Sequence, residues 1–226
     1  MPTSVQPKTG FVHQFGRLTA ALGVALTIAA PASATIVSGS VTGGSALTQG
    51  GVFVSLSVPL TGSTPFNTVG ADNFNTPNLY GFNESQNILL SSTLSMDIGA
   101  AIAAGTQVAS HYVFFDPLAT TTMVGTVNFD SNVLGIITSS GLLLASDGLA
   151  NTGVNYLNSA LRGLEAGDSV TISGTRQILF NVAASSPGDY VRVITAFSPG
   201  AVPEPMSLAL VGAALAGLAM TRRRKA

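Results

Sequence analysis

The chain has 226 residues and no cysteine, with 9 lysines and arginines against 10 aspartates and glutamates, only 8% charged residues and a mean hydropathy of +0.47. That length fits one domain plus targeting segments, and the lack of cysteine excludes a disulfide framework and any zinc site built from cysteine and histidine. Such hydropathy would mark a membrane protein if it were spread evenly, but the apolar excess collects in residues 18–30 and 208–220, and the middle alternates apolar residues with Ser, Thr, Asn and Gly as a soluble domain does.

Taken in chain order, Lys8, His13 and Arg17 come first, then the apolar run "LTAALGVALTIAA", then "PASA". This is the layout of a secretory signal peptide: a positive start, an apolar stretch of about 7–15 residues, and small residues before the cut. The segment is expected to span residues 1–34 and to be removed by signal peptidase after Ala34, with Ala32 and Ala34 as the small pair. Pro31 and the change to strand-like sequence at Ile36 weigh against a buried N-terminal helix.

The body follows over residues 35–200. From Thr35 to Val202 nine carboxylates face three arginines and no lysine, a net charge of −6, which argues against nucleic acid as a partner because phosphates need clustered cations. Short β-rich runs are expected at 35–42, 51–58, 87–95, 106–115, 121–130, 133–139, 169–174, 176–184 and 189–197. Their period-2 alternation and turn-rich spacing predict an all-β fold, an antiparallel sandwich or jelly roll rather than βαβ units. One short helix is predicted in "GVNYLNSALRGLEAG", where Val154, Leu157, Leu161 and Leu164 recur at helical spacing and Gly167 offers a stop. The Gly-rich stretch 41–51 reads as a flexible loop, and Ser186–Asp189 as a type II turn with Pro at its second position and Gly at its third.

Searches for chemistry in the body end quickly. His111 is its one histidine, lies in a strand-like run beside Tyr112, and has no G-x-S-x-G elbow to serve, so it is expected to be a packed residue and no catalytic residue is assigned. Without lysine there is no P-loop. An EF-hand register starting at Asn73 would place Glu84 at position 12, but Pro77 sits at a ligand position and Asn78 replaces the turn glycine, so an exposed loop is expected and no metal or cofactor is assigned. One stretch, "NFNTPNLYGFNESQN", could present Phe74, Tyr80 and Phe82 among asparagines as a glycan platform; the competing expectation is that its aromatics tuck beneath the loop.

The chain closes with "VPEPMSLALVGAALAGLAMTRRRKA" over residues 202–226. A helix over 206–221 would reach about 24 Å, short of the roughly 30 Å hydrocarbon core. Pro203 and Pro205 hold Glu204 in extended backbone before it. Arg222, Arg223, Arg224 and Lys225 would stay cytoplasmic and leave the body on the far side. A weak span preceded by an accessible peptide suits a signal that is cut, with a permanent anchor as the alternative.

The triplet Pro203-Glu204-Pro205, the small and leucine-rich segment 206–221 and the basic tail 222–225 together resemble the PEP-CTERM sorting signal of exported proteins in Gram-negative bacteria, over residues 201–226. The body runs "SHYVFFDP" and "SSPGDYVRVITAF" are similar to uncharacterised bodies that some members carry. The resemblance implies an inner-membrane precursor processed at the triplet by an exosortase-like enzyme, and a host that makes exopolysaccharide. Together with an acidic β-body that carries no recognisable catalytic set, this leads to the expectation of a non-enzymatic structural protein of the cell surface or extracellular, biofilm matrix, with a carbohydrate-binding module of the same matrix as the alternative.

Overall fold

The computed structural model describes residues 34–197; the leader up to Ser33, including Ala32, and the whole tail, including 203–205 and 222–225, lie outside the described residues. In chain order the elements are β1 (Ile36–Gly43), α1 (Gly44–Thr48), β2 (Phe53–Ser55), β3 (Thr68–Val69), β4 (Leu79–Asn83), β5 (Ile88–Leu89), β6 (Ile98–Gly99), β7 (Gln107–Phe115), β8 (Thr121–Phe129), β9 (Val133–Ile137), α2 (Ser140–Ala145), a 3₁₀ turn at Asp147–Leu149, β10 (Asn155–Tyr156), β11 (Ser169–Gly174), β12 (Gln177–Ala184) and β13 (Asp189–Ala196).

Two sheets carry the fold. The smaller has the order β1-β8-β12-β11 and is antiparallel throughout. The larger runs β2-β4-β7-β13-β9-β6, with β5 also paired to β7, and is antiparallel except where β2 joins β4 in parallel. A separate parallel pair, β3 with β10, completes the strands.

The alternation in sequence sets the packing. On β8, Met123, Val127 and Phe129 face inward and Thr122, Val124, Thr126 and Asn128 face outward; β12 repeats the pattern with Ile178, Phe180 and Val182 inside. These inward residues meet Leu79, Val113, Phe115, Ile136, Val191 and Val193 of the larger sheet in one core, so the two sheets face each other. Burying each such side chain contributes about 1.5–3 kcal/mol.

The larger sheet is covered on its other face too. Tyr80, Phe82, Tyr112, Phe114 and Tyr190 point away from the first core and pack with Leu60, Val69, Phe74, Leu143 and Val154, supplied mostly by connecting segments. That third layer explains why β7 and β13 are buried along nearly their whole length rather than at every second residue. A third cluster, Leu90, Ile102, Val108, Leu149 and Ile194, closes one end.

Several expectations need correction. The stretch 153–167 is not helical: Leu157 N–H donates to the Val69 carbonyl and Leu164 N–H to the Thr138 carbonyl, which removes the amides an α-helix would use within itself. Asn158, Gly163 and Gly167 adopt positive φ and turn the chain repeatedly. The short α-helices fall at α1, inside the stretch read as a flexible loop, and at α2. The run 87–95 pairs only through β5 and a single bridge from Leu94 to Ile102, and the run 51–58 only through β2. The turn before β13 begins one residue early. Gly188 N–H donates to the Ser185 carbonyl, Pro187 follows a cis peptide bond at the third position, and Gly188 takes the positive φ expected of it.

Candidate functional site

The most concentrated chemistry among the described residues is a charge network under the outer face of the larger sheet. Register places Arg192 of β13 opposite Tyr112 of β7, on the face away from the inter-sheet core, and Glu84 directly after β4 shares that face. Both are fully buried. Arg192 Nε donates to Glu84 Oε2 at 2.7 Å and Nη2 to Oε1 at 2.9 Å, a bidentate pair. Ser110 Oγ donates to Oε2 at 2.6 Å and the Tyr156 hydroxyl to Oε1 at 2.7 Å.

Four donors occupy the capacity of the Glu84 carboxylate. Arg192 Nη1 in turn donates to the Leu143 carbonyl and Ser146 Oγ, and Nη2 also reaches Asp147 Oδ1 at 3.2 Å. Arg162 holds Asp147 with both Nη atoms, at 3.0 and 2.7 Å. Burial works to raise the Asp147 carboxyl, but Arg162 and then Arg192 outweigh it and hold it low. Burial chiefly, with the Glu84 charge behind it, pushes the Tyr156 phenol far up. These hydrogen bonds and ion pairs tie β4, β7, β13 and the turn after α2 together.

The residues weighed as a possible glycan platform take the competing arrangement, tucked inside. Phe74, Tyr80 and Phe82 are 7%, 6% and 1% exposed, and the rings of Phe74, Tyr80 and Phe114 pack with centroids 4.6–5.2 Å apart. They are core, not platform, which corrects that assignment. The loop read as exposed around Asn73 is also pinned inward. Asn73 is buried and bonds Thr64, Thr68 and Ala71, and its backbone N–H, with that of Phe74, donates to Asp116 Oδ2. Glu84, the would-be twelfth ligand, belongs to Arg192.

His111 lies fully buried between the sheets as a packed residue. Its Nδ1 bonds Asn83 Oδ1 at 2.8 Å and its Nε2 bonds Thr195 Oγ1 at 3.0 Å. Asn83 Oδ1 also accepts from Ile36 N–H, so Nδ1 carries the ring proton and the Thr195 hydroxyl donates to Nε2. Burial brings its pKa down to about 3, and the ring is neutral. At the start of β13, burial first and the charges of Asp168 and Glu165 next raise Asp189 to about 7.

One exposed surface has a composition of its own. The outward side chains of the smaller sheet are Val37, Ser38, Ser40 and Thr42 on β1, Thr122, Val124, Thr126 and Asn128 on β8, Gln177, Leu179, Asn181 and Ala183 on β12, and Ser169, Thr171 and Ser173 on β11. None is charged. Across one row, Asn128 Nδ2 donates to Ser38 Oγ at 3.1 Å, Gln177 Nε2 to Asn128 Oδ1 at 2.8 Å, and Ser173 Oγ to Gln177 Oε1 at 2.9 Å. This ladder crosses all four strands, roughly 14 Å at about 4.8 Å per strand, and Ser40 with Thr126 starts a second row at 3.0 Å. Hydroxyls and amides keep unused donors and acceptors toward solvent.

Sequence reasoning missed Glu84, Asp147, Arg162 and Arg192 as a set. The signal was Arg192 inside "DYVRVITAF", a lone cation in a strand otherwise built for burial. The chain matches no protein-family model, no curated protein and no solved structure.

Proposed function

We propose that this is an exported structural protein of the cell surface or exopolysaccharide matrix, a jelly-roll-like sandwich delivered through its PEP-CTERM-like tail and then released from the inner membrane by an exosortase-like enzyme. The observation that carries the matrix role is the uncharged hydroxyl and amide ladder on the smaller sheet, an extended face in a body of net charge −6. A polysaccharide chain can exchange hydrogen bonds with such a face along several sugars, while the acidic remainder limits self-association. Contacts of this kind are individually weak and gain strength by repetition along a polymer. The bidentate pairing of Glu84 with Arg192 and of Asp147 with Arg162 supports an architectural use of the buried charges.

The reading is tested by co-sedimenting the full exported protein with the host's isolated exopolysaccharide. Thr126→Glu, at the centre of the face, should abolish co-sedimentation while leaving the circular dichroism spectrum unchanged. Equal sedimentation of the wild type and the variant would contradict the assigned face.

A further inference from the structure

The first described residues make an unusual set of bonds. Thr35 N–H donates to Asp130 Oδ1 at 2.8 Å and Thr35 Oγ1 donates to Asp130 Oδ2 at 3.1 Å, so one residue occupies both oxygens of one carboxylate. Asp130 N–H returns a bond to the Thr35 carbonyl at 3.1 Å. The next amide, Ile36 N–H, is taken by Asn83 Oδ1 at 3.1 Å. Among the described residues no arginine bridges Asp130; the ion pairs there are those of Arg162 and Arg192 with Asp147 and Glu84.

A carboxylate that takes a backbone nitrogen on one oxygen and has no bridging arginine can also take a positive charge formed at that nitrogen. We propose that Asp130 is the docking site for the α-ammonium group created when the leader is cut between Ala34 and Thr35, so that processing itself locks the edge strand β1 onto β8. This rests on the signal-peptide reading above. In the cut, water adds across the Ala34–Thr35 amide under a membrane signal peptidase. The carbonyl carbon leaves as the Ala34 carboxylate, and the Thr35 nitrogen keeps the electron pair of the broken bond and takes up protons to become –NH3⁺, its form below about pH 8. The 2.8 Å bond, already charge-assisted through its carboxylate acceptor, becomes an ion pair with charge on both partners.

The groups facing this nitrogen are few. Asp130 contributes the negative charge from the end of β8, and Arg176 lies beyond it on the β11–β12 turn with its Nε on Asn132. His111, behind Asn83, is uncharged. The amine is therefore the group whose titration governs the bond near and above neutrality. Its folded pKa is raised by Asp130, so the stabilisation is complete below about pH 8 and is lost as the pH rises through that higher value.

The test uses the full chain, expressed with its leader and recovered from the exported fraction. N-terminal sequencing should begin at Thr35; any other start overturns both the cleavage reading and the docking site, because the charged nitrogen would then be elsewhere. The stretch from Thr35 to Val202 has no lysine, so acetic anhydride at neutral pH modifies the α-amine selectively within the body. Acetylation should lower the melting temperature of the wild type by about 2–4 °C. Asp130→Asn, which keeps an oxygen acceptor, should lower it by a similar amount and show no further loss on acetylation. A start at Thr35 combined with a wild type insensitive to acetylation, or with Asp130→Asn equally sensitive, leaves the leader reading standing and overturns the docking site.

Discussion

Arg192 and Glu84 show what a single residue decides in this protein. Removing one partner of a buried pair leaves the other charge uncompensated at a cost of about 3–5 kcal/mol. Arg192→Met should therefore lower unfolding free energy in urea by that amount, and Glu84→Gln in the same chain should restore part of it. His111 and Asp189 make a second pair of opposites, linked through protons rather than contact. The unfolded histidine titrates near 6.5 and the folded one near 3, so its contribution is present above 6.5 and is lost as the pH falls, by up to about 1.4 kcal/mol per unit. Asp189 is raised to about 7 from 3.8, so in this window the folded state holds the proton that the unfolded state lacks, and stability rises as the pH falls. Between about pH 4 and 6.5 the two effects oppose each other. Asp189→Asn should unmask the histidine and make stability fall steadily below pH 6.5 in urea titrations, whereas the wild type stays flatter from these two groups.

At the scale of elements, strands were legible wherever one face is buried and the other wet. The runs at 121–130, 169–174 and 176–184 correspond to β8, β11 and β12 within a residue or so. β7 and β13 were legible as strands from their β-branched and aromatic content, but not as strands covered on both faces, because the covering layer comes from connecting segments with no periodicity to read. Phe74, Tyr80 and Phe82 were legible as either a platform or a tucked cluster, and the buried Asn73, through its hydrogen bonds, brings them inside. The false helix at 153–167 had apolar residues at the right spacing, but tertiary partners took its amides. The uncharged face was present in the sequence as alternating Ser, Thr and Asn, and only the register of four strands aligned them into rows. Turn chemistry gives a prediction at this scale. Gly188 has a φ of +88°, and an added Cβ would stand 2.8 Å from the Phe115 carbonyl oxygen and 2.9 Å from Asp116 Cα. Gly188→Ala should cost about 1–3 kcal/mol by loosening the start of β13, measured by thermal unfolding.

At the scale of the whole molecule, an internal network of paired charges, an uncharged outer sheet face and a tail resembling a sorting signal fit one proposed itinerary: export, release from the inner membrane and residence in the matrix. The tail is where this account is most exposed to test. Glu204 is the one carboxylate side chain between Asp189 and the C-terminus, so Glu204→Ala should leave the protein uncut and held in the inner membrane. The most direct measurement is the intact mass of the protein recovered from its native host. The account predicts a wild-type mass corresponding to a chain that starts at Thr35 and ends near Val202, with the Glu204→Ala variant heavier by the segment through Ala226. A wild-type protein recovered with Arg222, Arg223, Arg224 and Lys225 still attached would contradict it.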